Sequence, residues 1–425
     1  MLRANPYLRL LLGNARFRVF WSGEAVAFFA NWFYYAALLG VVYSLFADGD
    51  RELAASLALI SAMIPNGLMV PLAGWIVDQF SRSRVLYFGK LVDMALVLCL
   101  VFVHTRADVG VIYLINAALG CSAAVFFSSR KAIIPDLVPE EELYSANTLS
   151  NATRGTMMIV GALAGGVVTT ELDPRTVFGL VAALHLVSGI LFSRVHPRRH
   201  AERAPVDARP SILHEMKRGI GVIVGDTTVL WILILRLLVA AGLGMQILIP
   251  AFSEEVAKVG ALGIGILTAA RGVGMIAGPF AGRLLSTRGH VGERKISALG
   301  VILAGVGYGL LVPAMRLPLG YAFVSIALGY AGLGAVEVMT TVIIQRRCPD
   351  SSLGTVVAID NGIGAILKVI VVLAIGEIVT ATTFAPIALV GGGILVLSGL
   401  VWYAVVPRAG SAGGSSSGSA QSPEA

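Results

Sequence analysis

The chain alternates between long apolar runs and short polar breaks. Twelve runs are long enough to cross a hydrocarbon layer as helices: 19–46, 53–77, 85–104, 109–129, 145–170, 175–194, 228–251, 260–285, 296–314, 318–344, 354–380 and 384–406. Turn residues such as Asp48, Gly49 and Asp50, or Asp173 and Pro174, separate them. The strict polar and apolar alternation of a membrane barrel is absent. Only helices can then satisfy the backbone over such runs. The pattern predicts an all-α integral membrane protein of twelve transmembrane helices. The first run is long and lacks a clear cleavage site, so it reads as a retained helix.

Composition supports this. Hydrophobic residues make up 56% of the chain and charged residues 13%, with a mean hydropathy of +0.83. Soluble domains average nearer a quarter charged. The formal charge of +7 then speaks of topology and not of nucleic acid. Alternate breaks collect the cations, among them Arg82, Arg84, Arg130, Lys131, Arg283, Arg294, Lys295, Arg346 and Arg347. The other breaks hold only Arg51, Arg106, Arg175, Lys258 and Arg316. By the positive-inside rule both termini are expected in the cytoplasm.

The longest break, 195–227, parts six runs from six. The expected divisions are a first bundle at 1–194, a cytoplasmic linker at 195–227, a second bundle at 228–408, and a disordered Gly/Ser/Ala tail at 409–425. Near the linker's end Ser211 can cap a helix whose Ile212, Leu213, Met216 and Ile220 share a face. An interfacial helix on the inner leaflet is one reading and a solvated linker helix the other. The halves echo each other. Pro71 to Gly74 and Pro279 to Gly282 both read Pro-x-Ala-Gly before a basic break. Ala124-Val125 precedes Arg130-Lys131, as Ala335-Val336 precedes Arg346-Arg347, at nearly the same offset. Two six-helix bundles related by a pseudo-two-fold axis are the expected outcome.

Chemistry-bearing residues are few. Cys99, Cys121 and Cys348 have no metal spacing, and the six histidines are scattered. No phosphate-binding loop occurs, which disfavours an ATP-driven pump. No cofactor, no metal and no catalytic cluster are expected. Ionisable residues within the apolar runs are the better signal, because they are costly there and mark a pathway or an internal pair. They are Glu24, Asp93, Arg154, Arg236, Arg271, Glu337, Asp360 and Lys368. Asp93 reads as structural. Arg154, Arg271, Asp360 and Lys368 read as a buried charge network or a gate, with an Arg154–Asp360 pair as one example. Glu337 is flanked by Val336 and Val338, and desolvation of that kind suits a carboxyl to carry a proton. Glu24 and Asn31 are seven apart and share a helix face. Gly161 with Gly165, and Gly278 with Gly282, have spacing for close helix packing. Trp21, Trp231, Trp402 and Tyr403 read as interfacial anchors.

The break after the second run carries Gly74, Asp78, Arg82 and Arg84. It resembles the Gly-x-x-x-Asp-Arg-x-Gly-Arg-(Arg/Lys) loop of the major facilitator superfamily, except that Gln79 stands where the first basic residue is usual and Ser81 where the glycine is. Three further stretches are similar to the bacterial enterobactin and macrolide efflux branch. These are Asn14 to Trp21 leading into Ala30-Asn31-Trp32, Ile134 to Pro139 followed by Asn147 and Arg154, and Ala270 to Gly274 ahead of Pro279. Lysophospholipid transporters share much of this pattern. Asn31 stands where the branch commonly has aspartate, and the fifth run lacks the usual Gly-Pro of antiporters.

The resemblance implies that helices 1, 4, 7 and 10 line a central cavity, which makes Glu24, Asn31, Arg236 and Glu337 the cavity candidates. It implies that Gly74, Asp78, Arg82 and Arg84 form a latch that holds the outward-open state. The expected activity is ion-coupled, most simply proton-coupled, export of a small amphipathic or hydrophobic solute. A lipid flippase on the same scaffold and a non-transporting sensor are the alternatives. The expected partners are a small-molecule substrate, the lipid bilayer and protons, with no nucleic acid, and the expected state is a monomer.

Overall fold

A computed structural model describes residues 5–45, 51–103, 105–196, 210–287, 292–376, 378–379 and 382–405. The Asp48–Asp50 turn, the linker segment with Pro197 and Pro205, and the tail from 409 lie outside the described residues. Every regular element among those described is helical. A short α1 (Pro6–Gly13) precedes the first span, α2 (Ala15–Leu45). The second span is α3 (Arg51–Leu68) plus α4 (Val70–Gln79), and then come α5 (Arg82–Cys99), α6 (Val109–Leu137), α7 (Leu143–Glu171) and α8 (Pro174–Ser193). The linker helix is α9 (Ile212–Gly225). The second half holds α10 (Thr227–Gly244) with α11 (Leu248–Ala251), then α12 (Gly260–Thr287) and α13 (Glu293–Gly309) with α14 (Leu311–Ala314). It ends with α15 (Leu319–Arg347), α16 (Asp350–Gly376) and α17 (Phe384–Val405). The chain thus crosses the membrane twelve times.

Local chemistry sets the breaks. Proline removes a backbone donor and crowds the preceding turn. Pro65 inside α3 and Pro71 at the start of α4 flank a 58° bend in the second span. Asp226 caps α10, accepting from the amides of Thr228 and Val229. Among the described residues, nine helices are long and apolar enough to cross a membrane on their own, and the bent second span makes a tenth. The remaining two spans, α7 and α12, pack on each other across the halves. A helix face covered by protein need not be apolar.

The internal duplication is visible in the packing. In the first half α2 packs on α7 and α8, α5 on α6 and α8, and α3 on α6. In the second half α10 packs on α16 and α17, α13 on α15 and α17, and α12 on α15. The same neighbours recur six spans later. The halves meet through α7 with α12 and through α4 with α16, which are equivalent pairs with the halves exchanged. Close approach depends on glycine. A methyl group at Gly278 would lie 1.9 Å from the Ala331 carbonyl oxygen on α15.

Two expectations need correcting. The fourth span does not stop at 129: α6 runs to Leu137 through Pro135. Arg130 and Lys131 are therefore not loop cations but buried helical residues, 5% and 6% exposed. Trp21 and Trp402 are not simple interfacial anchors either. Their indole N–H groups donate inward, to Thr153 Oγ1 at 2.7 Å and to the Arg294 carbonyl at 3.3 Å.

Candidate functional site

Polar contacts between the halves gather at the end of the molecule that carries α1, the α4–α5 turn and α9. At this basic end Asp78, the penultimate residue of α4, points at the second turn of α16. Its carboxylate accepts from the Gly354 amide at 2.7 Å, the Thr355 amide at 2.8 Å and Thr355 Oγ1 at 2.7 Å. The carbonyls one turn back also have partners. Asp350 O accepts from Arg82 Nη2 at 3.0 Å, and Ser351 O accepts from Arg218 of α9. Gly74 makes room for this contact, since a methyl group there would meet the Thr355 Cα at 2.8 Å.

Arg82 is buried and joins three spans. Its Nη1 lies 2.9 Å from Asp136 of α6 and 2.7 Å from Asp350 of α16. Arg84 does not join them. It is exposed and has no polar partner among the described residues. Three of the four latch candidates therefore converge, and the fourth faces away. The mate of this contact, across the pseudo-two-fold axis, is built differently. Tyr144 of α7 donates to the Pro279 carbonyl at 3.0 Å, and Arg283 of α12 reaches Ser145. Ser286 stands where a second Asp78 would be.

Deeper in, seven charged residues form one layer. Glu24, Arg130, Arg154, Arg236, Glu337 and Asp360 sit about 10–16 Å from the basic ends of their helices, counted from Ala15, Leu137, Leu143, Thr227, Arg347 and Asp350. Lys131 adjoins Arg130. Within the first half, Glu24 accepts from Arg130 Nε at 2.5 Å and from Ser150 Oγ at 2.6 Å. Within the second, Arg236 bonds Asp360 and donates to Thr340 Oγ1 at 2.8 Å. Two ion pairs of this layer cross the halves: Arg154 Nη2 to Glu337 Oε2 at 2.7 Å, and Lys131 Nζ to Asp360 Oδ2 at 3.8 Å. Arg154 also donates to Asn151 at 2.8 Å, and Lys131 to Asn361 at 3.0 Å. A chamber among Arg130, Lys131, Asn147, Asn151, Glu337 and Thr341 has room for about 10 Å³, which is one water.

These contacts redraw several expectations. Arg154 pairs with Glu337 and not with Asp360, whose partners are Arg236 and Lys131. The reason is direction: α7 faces α12 and α15, whereas α16 faces α10 and α4. Glu24 is fully buried in a pair inside the first half, so it does not line an open cavity. Glu337 is not an isolated desolvated carboxyl, because a guanidinium holds it. Asn31 is half-buried, with no polar partner among the described residues. Arg271 and Lys368 stand apart from the layer. Asp93 is internal to the first half, 2.7 Å from Lys90 and 4.0 Å from His185.

The profile of the Major Facilitator Superfamily matches residues 20–371. The chain belongs to the Major Facilitator Superfamily. The MFS-type transporter y4rN of Sinorhizobium fredii is 25% identical over 368 residues, 82% of this chain and 85% of that protein. Macrolide efflux protein A of Streptococcus pyogenes is 20% identical over 211 residues, 49% of this chain and 51% of that one. The lysophospholipid transporter LplT of Serratia proteamaculans is 23% identical over 204 residues, 48% and 46% of the two chains. Among solved structures, a bacterial homologue of the iron transporter ferroportin in an outward-facing state superposes with a TM-score of 0.71. It is 15% identical, with 92% of this chain and 99% of that chain covered. The fold is therefore that of a multi-pass membrane transporter of this superfamily.

Sequence reasoning missed Arg130, Lys131 and the polar face of α7, which carries Asn147, Ser150 and Asn151. One signal was available. Glu24, deep in the first span, needs a buried cation, and Arg130-Lys131 abuts the fourth apolar run. The cluster Asp136, Asp350 and Arg218 around the latch had no such signal, because each belongs to a different break in the sequence.

Proposed function

We propose that this superfamily member is a secondary exporter of a small amphipathic or hydrophobic solute. It works by alternating access, with both termini in the cytoplasm. The observation that carries this reading is the gathering of cross-half polar contacts at the basic end. By the positive-inside rule that end is cytoplasmic. The conformation is then one closed to the cytoplasm and held by the Asp78 latch. To release solute uptake from the inside, the halves must part there, breaking Asp78 from α16, Arg82 from Asp350, Lys131 from Asp360 and Arg154 from Glu337.

The two buried carboxylates respond differently to parting. Asp360 keeps Arg236, which belongs to its own half. Glu337 loses Arg154, the guanidinium its carboxylate bonds, and a carboxylate without a direct partner in the membrane interior is costly. A proton bound at that moment would remove the charge, which makes Glu337 the proton-coupling residue of this reading. Similarity to macrolide efflux protein A over about half its length supports export. Similarity to the lysophospholipid transporter, again over about half, favours a second reading, a lipid flippase on the same scaffold. The protein is further proposed to act as a monomer in the bacterial cytoplasmic membrane, with its bundles divided at the 195–227 linker.

Proteoliposomes with an imposed pH gradient test this. Wild-type protein is expected to move solute with the gradient. Glu337→Gln is expected to move it down its own gradient but to ignore pH. Unchanged coupling in Glu337→Gln would remove the proton role.

A further inference from the structure

Two cations lie beyond the paired layer. Arg271 of α12 and Lys368 of α16 sit about 24–27 Å from the basic end, counted from Thr287 and Asp350, roughly 10 Å past the layer. Neither has a carboxylate partner among the described residues. Arg271 Nη1 donates to the neutral Gln246 Oε1 at 2.9 Å, and its guanidinium lies 5.3 Å from the centre of the Tyr330 ring. Its Nε is buried with no acceptor. Lys368 is half-buried and makes no ion pair or hydrogen bond among the described residues. The two cations flank the same turn after α10: a methyl group at Gly244, two residues before Gln246, would lie 3.2 Å from the Lys368 carbonyl oxygen. The Glu337 carboxylate is already held by Arg154.

The charge of the interior is therefore unbalanced. Arg130, Lys131, Arg154 and Arg236 face Glu24, Glu337 and Asp360, and Arg271 and Lys368 add two cations with no anion. Uncompensated cations within a membrane are expensive and persist where a ligand or pathway uses them. Two aromatic rings lie at the same depth on α2. Trp32 and Tyr35 of α2 are both half-buried and lie about 26–30 Å from the basic end, counted from Ala15. Their ring centroids are 5.9 Å apart.

We propose that Arg271 and Lys368 form the charged part of the substrate site and that the transported solute is an organic anion, with a carboxylate, sulfonate or phosphate group on an apolar body. This rests on the transporter reading above. The anion would sit between the two cations, using the free Arg271 Nε–H and the Lys368 ammonium as donors. Its body would face the α2 aromatics. A planar guanidinium suits two oxygens of one headgroup, while the ammonium adds a point charge. The headgroup chemistry is shared by soluble amphiphiles and by acidic lysolipids, and direct binding separates the two.

The full chain in neutral detergent is titrated with naphthalene-2-sulfonate, 1-oleoyl-lysophosphatidic acid and the matched cation 2-naphthylmethylammonium. Thermal unfolding and calorimetry report binding. At least one anion is expected to bind and the cation is not. Preference for the sulfonate marks a soluble substrate, and preference for the lysolipid marks a headgroup, each consistent with the site. Arg271→Gln and Lys368→Gln are each expected to weaken the anion about tenfold or more, and Lys368→Arg to restore most of it. The Lys368 pair carries the test if Arg271→Gln does not fold. Binding of the ammonium in place of the anions, binding of no anion, or anion affinity unchanged in both Gln variants would overturn the proposal. Binding in detergent needs no gradient, so a failure here with transport intact sinks the anion site alone. Lost transport with anion binding intact sinks the transporter reading instead.

Discussion

At the residue scale, Asp78 and Glu337 carry the account in different ways. Asp78 receives three hydrogen bonds from α16, each to a charged acceptor, and such bonds contribute about 1.5–3 kcal/mol each. Asp78→Asn keeps one acceptor oxygen but turns a donor toward a donor. Solute turnover is expected to fall about tenfold or more, while membrane insertion stays normal. Vesicle flux and a detergent melting curve check both parts, and full turnover would dismiss the latch. Glu337→Gln leaves Arg154 with Asn151 as its remaining partner. A buried pair broken on one side costs about 3–5 kcal/mol, so some loss of thermal stability is expected beside the loss of pH coupling. At this scale the sequence was half legible. Gly74, Asp78 and Arg82 could be placed by their resemblance to the family loop, and buried carboxylates could be found by their cost. Their partners could not, because Asp350, Gly354 and Arg218 lie far along the chain and carry no distinguishing pattern. Arg130 and Lys131 were hidden by a helix that runs two turns past its apolar run.

At the element scale, α9 is the informative case. Ser211 caps it as the sequence predicts, accepting from the His214 amide at 3.3 Å. Of its apolar stripe, Met216 packs against the core, and the other three residues are exposed. Leu213 and Ile220 are 66% and 48% exposed, and the buried residues are Glu215, Gly219 and Ile223. Glu215 accepts from Gln79 Nε2 at 3.1 Å and pairs with Arg218 at 2.5 Å. The helix thus packs on the latch through Glu215, Gly219 and Ile223 and leaves Ile212, Leu213 and Ile220 exposed. Amphipathicity told that a face would be apolar, not which face would meet protein. Gly219→Leu is expected to undock α9, because a methyl group alone would already lie 2.5 Å from Thr355 Cγ2. Faster proteolysis at the linker, with the spans still inserted, is the expected readout. Gly74→Ala addresses the other side of α16. The added methyl meets backbone and cannot be absorbed by a rotamer change, so α4 and α16 are expected to stay apart and transport to drop. Disulfide trapping between these helices would report that, and unimpaired trapping with normal transport would contradict it.

At the scale of the whole molecule, two bundles repeat one packing plan, and the differences between them place the function. Hydrophobic runs alone foretell twelve spans, because lipid leaves the backbone no other choice, and the long central break with the repeated Pro-x-Ala-Gly foretells six plus six. The asymmetry is not visible in that pattern. The first half contributes Asp78 and the second contributes the helix start it binds. One conformation closes the basic end, and alternating access requires a second in which that end opens. Distance measurement by electron spin resonance tests this most directly. Labels at Arg84→Cys and Arg347→Cys, both exposed positions at the basic end of opposite halves, read the gap in proteoliposomes. A single short distance is expected at rest, and Asp78→Asn is expected to add a longer one. One unchanging distance in both proteins, with solute still crossing the membrane, would contradict the account.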